Sequence, residues 1–303
     1  MRTVIMGAGA MGSLFGGLIA SSGEEVWLVD VWKEHVDALR SKGLMIEEKG
    51  QVKNIPVQAT TDASSIGKAD LVILFVKTYH TEKAVSDALA FERDNTAFLT
   101  LQNGLANEDV ISRQVNRGKV LLGVTNQGAT LLGPGKIRHG GWGKTYLGEL
   151  DGQVTDRIRK IAQVFQRAGI ETEVSSAIQH LVWDKLLINI GINALAAVTG
   201  IKNGELLDHP ETVTLMDALV CEAVEVARRK GIPIEGIPIE RVKAVAEATK
   251  ANRCSMGQDL DHKRKTEIDV INGAVVREAE RLGVAVPYNR MITNLVKVIE
   301  KTY

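Results

Sequence analysis

In a chain of 303 residues, 37 lysines and arginines are balanced by 37 aspartates and glutamates, and no basic stripe interleaved with aromatics suggests nucleic acid. The length allows one large or two medium domains with a full apolar core. Two cysteines, Cys221 and Cys254, exclude a disulfide framework; no apolar run reads as a membrane span; the opening MRTVIMGAG enters a strand-like run without a charged leader or cleavage site. The expectation is a cytoplasmic protein of a reducing compartment, without a signal peptide and without membrane or nucleic-acid partners.

Residues 3–6 are apolar and suited to a strand, GAGAMG follows at 7–12, and SLFGGLIASSG continues as a helix. Between a strand and a helix, G-x-G-x-x-G has a physical meaning. Gly7 permits a tight turn, Gly9 lets backbone approach a pyrophosphate, and Gly12 lets helix and strand pack closely. The free amides of the helix start then face the phosphate charge. The next strand, EVWLVD, ends in Asp30, at the distance expected of a ribose-binding acid. A carboxylate there suits both ribose hydroxyls of NADH and repels the extra phosphate of NADPH, although Lys33 stands close by.

The runs ADLVILFVKT (69–78), TAFLTLQNG (96–104) and KVLLGVTN (119–126) are apolar on both faces, as central parallel strands require. With helical segments between them they predict a doubly wound α/β sheet, whose ligands sit beyond the carboxyl ends of the strands. Lys77, Thr78, Gln102, Asn103 and Ala129 fall at or just past such ends. Residues 128–150, punctuated by glycine, predict antiparallel hairpins at the sheet's edge, and 153–168 predict an amphipathic helix.

From Ser175 the pattern becomes helical, with helices expected at 175–200, 210–230, 238–250, 259–283 and 288–302. The expected domains are 1–174, a Rossmann-type dinucleotide-binding domain, and 175–303, an all-helical substrate and catalytic domain. The first of these helices contains KLLINIGIN, which places Lys185, Asn189 and Asn193 four residues apart on one face of an otherwise apolar helix. Unpaired burial of such groups is costly, so something polar should meet them; a helix leaving the nucleotide domain would hold Lys185 in the cleft between the two domains. Within 259–283, Glu267 lies at the edge of the face formed by Leu260, Ile271, Val275 and Leu282, within about 40° of Ile271. Ser255 precedes that helix in a loop. Cys254 has no histidine partner and reads as a core or loop residue; no metal-ligand spacing is present.

GAGAMG, LFVKTYHT, LQNG, GATLLGPGKIRHGGWG, KLLINIGINALAAVTG with NGEL, and CSMGQDLDHKRKTEIDVINGAVV occur in order along the chain. Through them it resembles the ketopantoate reductase (2-dehydropantoate 2-reductase) family of the 6-phosphogluconate dehydrogenase-like group. The resemblance implies NAD(P)H-dependent reduction of ketopantoate to pantoate, a step toward pantothenate and coenzyme A. It implies Lys185 as proton donor to the ketone oxygen, Asn189, Asn193 and Asn203 as substrate-binding amides, and Ser255 as the group holding the substrate carboxylate. Glu267 matches the family's active-site acid; Gly7 to Gly12, Lys77, Asn103 and Ala129 match cofactor contacts. NADPH is the family's usual cofactor, often met by an arginine near the end of the second strand; this chain has VDVWKEH there.

Hydride attack on a 2-keto group builds negative charge on oxygen, so the chemistry needs a proton donor aimed at it. Burial would lower the pKa of Lys185 and a neighbouring Glu267 would raise it. A related 2-keto acid or 3-hydroxy acid dehydrogenase is the alternative; a non-catalytic dinucleotide sensor would lack the lysine–asparagine stripe. The all-helical half is the surface through which a homodimer would form.

Overall fold

Four runs with no polar alternation, β1 (Thr3–Met6), β6 (Leu71–Leu74), β7 (Ala97–Thr100) and β8 (Val120–Thr125), lie side by side in parallel and are buried at every position. Strands covered on both faces require that composition. In the computed structural model, which describes residues 1–303, they form the centre of an eight-stranded sheet. Its order is β12-β11-β8-β7-β6-β1-β2-β5, with β2 (Val26–Val29) and β5 (Gln58–Thr60) parallel on one flank. On the other flank β11 (Thr145–Glu149) runs antiparallel to β8, and β12 (Thr172–Val174) runs parallel to β11. Helices α1 (Ala10–Ser21), α2 (Lys33–Lys42), α3 (Thr81–Ala88), α4 (Asn107–Ser112) and α5 (Asp156–Arg167) connect the strands. The chain turns one way from β1 to β2 and the other way to β6, so the switch point of this doubly wound sheet lies at the ends of β1 and β6.

A second sheet departs from expectation. β3 (Leu44–Glu48) and β4 (Gln51–Ile55) form one hairpin, β9 (Gly128–Gly133) and β10 (Lys136–Gly141) another, and β3 pairs in parallel with β10. Residues 128–141 therefore do not extend the main sheet; of the 128–150 stretch only β11 does, and it is not the edge. The reason lies in α1, which is apolar almost all round and needs cover on a second side. Its Gly16 lies against Leu28 of the main sheet, while Gly17 lies against Leu44 and Ile46 of the second.

By packing, the chain divides into residues 1–102 with 107–178, and 103–106 with 179–303. The second unit is helical: α6 (Ile178–Thr199), α7 (Pro210–Arg229), α8 (Pro238–Ala248), α9 (Ser255–Asp261), α10 (Asn272–Leu282) and α11 (Pro287–Glu300). Proline in the first turn of α7, α8 and α11 occupies a position whose amide has no helical acceptor. α6 is long and apolar enough to cross a membrane by length and composition, contrary to the expectation that no run would be. Yet 61 % of its most apolar window is buried, with Trp183, Leu186, Leu187 and Ile190 in the unit's core.

The helix expected over 259–283 is two helices. α9 stops at Asp261, Lys263 takes a left-handed conformation with φ 54°, and the amide of Arg264 bonds back to Asp259 O. The intervening HKRKTE has no apolar residue to bury, so no face sustains the helix. Glu267 consequently sits not on a helix face but just before a short 3-10 turn at 268–270, where its carbonyl accepts from the amides of Val270 and Ile271. Ser255, expected in a loop, opens α9.

Candidate active site

The turn at residues 7–12 is built from close backbone approaches. Gly7 has φ +95°, and a Cβ there would meet Val76 N at 2.7 Å. A Cβ on Gly12 would fall 1.9 Å from Gly7 O, so α1 can start over the turn only with glycine at that position. Around Gly9 the space is open, with nothing within 4 Å of a would-be Cβ. No side chain caps α1 and no acid stands in its first turn, leaving the positive end of the helix to an anion. A bare helix start beside an open glycine at the switch point fits a dinucleotide pyrophosphate.

Asp30 follows β2; one of its oxygens accepts from the amide of Trp32 at 2.9 Å, fixing the turn into α2. Lys33 is directed along α2 to Asp37 at 2.6 Å. Lys77 lies past β6 and immediately precedes a short 3-10 turn, Thr78–His80. Gln102 is structural: its amide donates to Val76 O at 2.7 Å and Thr81 Oγ1 at 2.8 Å, and its oxygen accepts from Thr100 Oγ1, tying the ends of β6 and β7 together. Asn103 belongs by packing to the helical unit; Gly104 beside it, φ +84°, lies so close to Val270 that a Cβ would meet its carbonyl oxygen at 2.4 Å. Ala129 is on β9, opposite His139, in the second sheet.

In the helical unit, Lys185, Asn189 and Asn193 share one face of α6. Opposite them Gly191 lets α6 approach Val242 and Val220 closely, so the helix is gripped on its apolar side. Lys185 is half-buried, and the protein around its ammonium pulls its pKa from 10.5 to about 8, burial outweighing the opposing pull of the Glu267 carboxylate. Glu267 is buried, as are Asn193 and Asn203. The Asn189 Nδ2 donor and the Asn203 Oδ1 acceptor are both buried without a hydrogen-bond partner in the protein. Buried polar groups are normally satisfied, so an unpartnered donor next to the lysine on its own face marks a place for a polar ligand.

The remaining residues are held by contacts the sequence did not suggest. Cys254 caps α9 through its sulfur, which accepts from Gly257 N at 3.2 Å and donates to Asn193 O at 3.4 Å; burial pushes its thiol pKa up, which suits a structural thiol and not a nucleophile. Arg253 pairs with Asp261 through two 2.9 Å bonds and donates to the carbonyls of Ala196 and Ile201 at the end of α6. Asn203 bonds by its amide nitrogen to Thr249 Oγ1 at 2.9 Å and by its backbone to Asn252 O. Ser255, exposed, is thereby tied through its neighbours to α6. None of these links has a sequence spacing that would have betrayed it; nor has His35, buried between α1 and the second sheet.

A glycine-loop α/β unit followed by an all-helical unit carrying a lysine with a depressed pKa beside a buried acid defines an NAD(P)-dependent oxidoreductase. Family models described as ketopantoate reductase PanE/ApbA and its C-terminal part match residues 3–152 and 177–300. The chain belongs to the ketopantoate reductase family. It is 37 % identical over 302 residues to a 2-dehydropantoate 2-reductase of Halobacterium salinarum, covering 99 % of each chain. It is 36 % identical over 300 residues to the protein of that name from Pyrococcus horikoshii, covering 99 % of this chain and 98 % of the other. Among solved structures it resembles a PanE/ApbA family ketopantoate reductase of Ralstonia eutropha, with TM-score 0.92, 32 % identity and coverage of 100 % and 99 %. It also resembles a D-mandelate dehydrogenase in ternary complex with NADH and anilino(oxo)acetate, with TM-score 0.92, 30 % identity and the same coverage.

Proposed function

We propose that this chain is a 2-dehydropantoate 2-reductase, reducing ketopantoate to pantoate with NAD(P)H. The observation that carries the reading is the face of α6 on which a lysine of pKa about 8 adjoins an amide donor with no partner, with Glu267 acting on the lysine. Full-length relatives of that name support the choice of substrate. In this reading residues 1–174 bind the dinucleotide, through Gly7, Ala8, Gly9, Ala10, Met11, Gly12, Asp30, Lys77, Asn103 and Ala129, and 175–303 carry the substrate chemistry. The bound nicotinamide supplies the hydride. Lys185, protonated at neutral pH, donates its proton to the ketone oxygen as charge develops there. Glu267 holds the ammonium charged against its desolvation. Asn189, Asn193 and Asn203 orient the 2-keto acid, and the Ser255 hydroxyl donates to its carboxylate. Asp30 and the engagement of Lys33 by Asp37 favour NADH over NADPH.

The test is steady-state turnover of ketopantoate with NADH and with NADPH, alongside Lys185→Ala. Turnover lost in the variant supports the assignment, and the ratio of kcat/KM for the two cofactors measures what Asp30 does. No turnover by protein that binds a dinucleotide overturns ketopantoate as substrate.

A second reading, a related 2-keto acid dehydrogenase, is favoured by the likeness to D-mandelate dehydrogenase; a panel of aryl and branched 2-keto acids separates the two. We further propose a cytoplasmic homodimer through the helical unit. On α11, Tyr288, Met291, Leu295 and Val298 are exposed at heptad-like spacing, an apolar stripe suited to a second copy. Light scattering on wild type and Leu295→Asp checks it: a wild-type monomer refutes the dimer.

A further inference from the structure

His35 is 1 % exposed, yet it lies on the first turn of a mostly solvated helix, α2. Its ring is the meeting point of four segments. Nδ1 accepts from the backbone amide of Gly135, in the turn between β9 and β10, at 3.0 Å. Nε2 lies 3.3 Å from Ser13 Oγ on α1, and Ser13 Oγ is 2.6 Å from Ala8 O in the glycine turn. The ring plane stacks on Trp32, 5.3 Å between centroids and 12° between planes, and Trp32 is held in turn by Asp30.

The chemistry of these partners sets the proton positions. A backbone amide only donates, so Nδ1 facing Gly135 carries no hydrogen; a carbonyl only accepts, so the Ser13 hydroxyl hydrogen goes to Ala8 O. Ser13 Oγ is left as acceptor, and Nε2 carries the ring's one hydrogen and donates it there. The chain Gly135 N–H to Nδ1, Nε2–H to Ser13 Oγ, Oγ–H to Ala8 O runs in one direction and requires a neutral imidazole. A second proton on Nδ1 would oppose the Gly135 amide and break the chain at its first link.

We propose that neutral His35 is a positioning residue of the dinucleotide site, locking the pyrophosphate turn at Ala8 to the Asp30–Trp32 segment at the ribose end, so that its protonation loosens both and weakens cofactor binding. The inference rests on the reading of residues 7–12 and Asp30 as the cofactor site. α1 presents no charged side chain to the ring, since it contains none. From the β2–α2 segment Asp30 favours the charged form; on α2 itself Lys33 and Asp37 are exposed and paired with each other; from the β9–β10 turn Lys136 is directed to Glu47. Burial outweighs both Asp30 and the Ala8 carbonyl, which favour the charged ring, and lowers the pKa of His35 from 6.5. The lock is therefore intact at neutral pH and fails on the acid side of that value.

Two measurements decide it. Long-range proton–nitrogen NMR of the histidine rings, with His35→Gln to assign the signal, should find the Nε2–H tautomer at pH 7; an Nδ1–H or charged ring overturns the proposal. NAD(P)H affinity, measured by fluorescence from pH 5 to 8, should weaken toward acid in wild type. In His35→Gln, which does not titrate, and in Ser13→Ala, which cuts the chain while leaving the Gly135 bond, affinity should be about three- to tenfold weaker at pH 7. The wild-type acid limb should be missing from both. The same acid limb in both variants, or wild-type affinity in both, overturns the lock alone. Failure of wild type to bind either cofactor overturns the site reading and the lock with it, while the NMR still tests the tautomer.

Discussion

The glycine turn and the lysine face illustrate opposite ways of building a site. The turn is six consecutive residues whose chemistry is backbone: an open position at Gly9, a bare helix start, and contacts so close that Gly7 and Gly12 admit no Cβ. The lysine face is made of side chains along α6, on which Glu267 acts from the loop before the 3-10 turn at 268–270. It carries a desolvated ammonium and an unpartnered amide donor, groups a stability-optimised core would replace. A local site is held by sterics; a dispersed one is held by the packing of the whole helical unit and carries its own destabilisation.

Five variants sharpen that contrast. The largest effect is expected at Lys185: alanine there should lower kcat by about 10²- to 10⁴-fold, the range of general acid catalysis, with dinucleotide affinity unchanged. Equal losses of kcat and of cofactor affinity would break the separation of roles. Gly12→Ala places a carbon on Gly7 O, and repacking at such positions costs about 1–3 kcal/mol. Thermal unfolding should report that loss, together with weakened NAD(P)H binding, whereas normal binding would mean the turn is not held by sterics. Asn189→Leu removes an unpartnered buried donor, so Tm should hold or rise while KM for the keto acid increases about tenfold. A fall in Tm with unchanged KM would make Asn189 structural.

The smallest effect is a shift in a pH profile. Glu267 raises the Lys185 pKa against burial, so Glu267→Gln should move the alkaline fall of kcat/KM from about 8 to lower pH. An unmoved limb would mean that Glu267 does not set the lysine's charge. The same pKa bears on stability. The folded chain releases this proton near pH 8 and the unfolded chain only near 10.5. Lys185 therefore costs stability below pH 8, and the cost fades as pH rises from 8 to 10.5. Lys185→Met should accordingly raise Tm at pH 7 and converge on wild type near pH 10.5.

Much of this molecule was legible in linear order because its signals are short-range. Apolar runs without alternation announced β1, β6, β7 and β8; the glycine triplet between strand and helix announced the turn; four-residue spacing put Lys185, Asn189 and Asn193 on one face. What misled was also local: a loose apolar periodicity across 259–283 suggested one helix, although six consecutive residues there, 262–267, carry no apolar side chain to form its face.

By itself the sequence determined the α/β unit followed by a helical one, the position of the glycine turn and the polar stripe on α6, since steric demands and side-chain periodicity act within a few residues. Only the tertiary structure decided the second sheet over α1, the break before Glu267, the clasp of Arg253 and Cys254 on α6, and the burial that lowers the pKa of Lys185. These depend on which distant surfaces meet, and the free energy of burying a group is set by its neighbours in space, which linear order does not record.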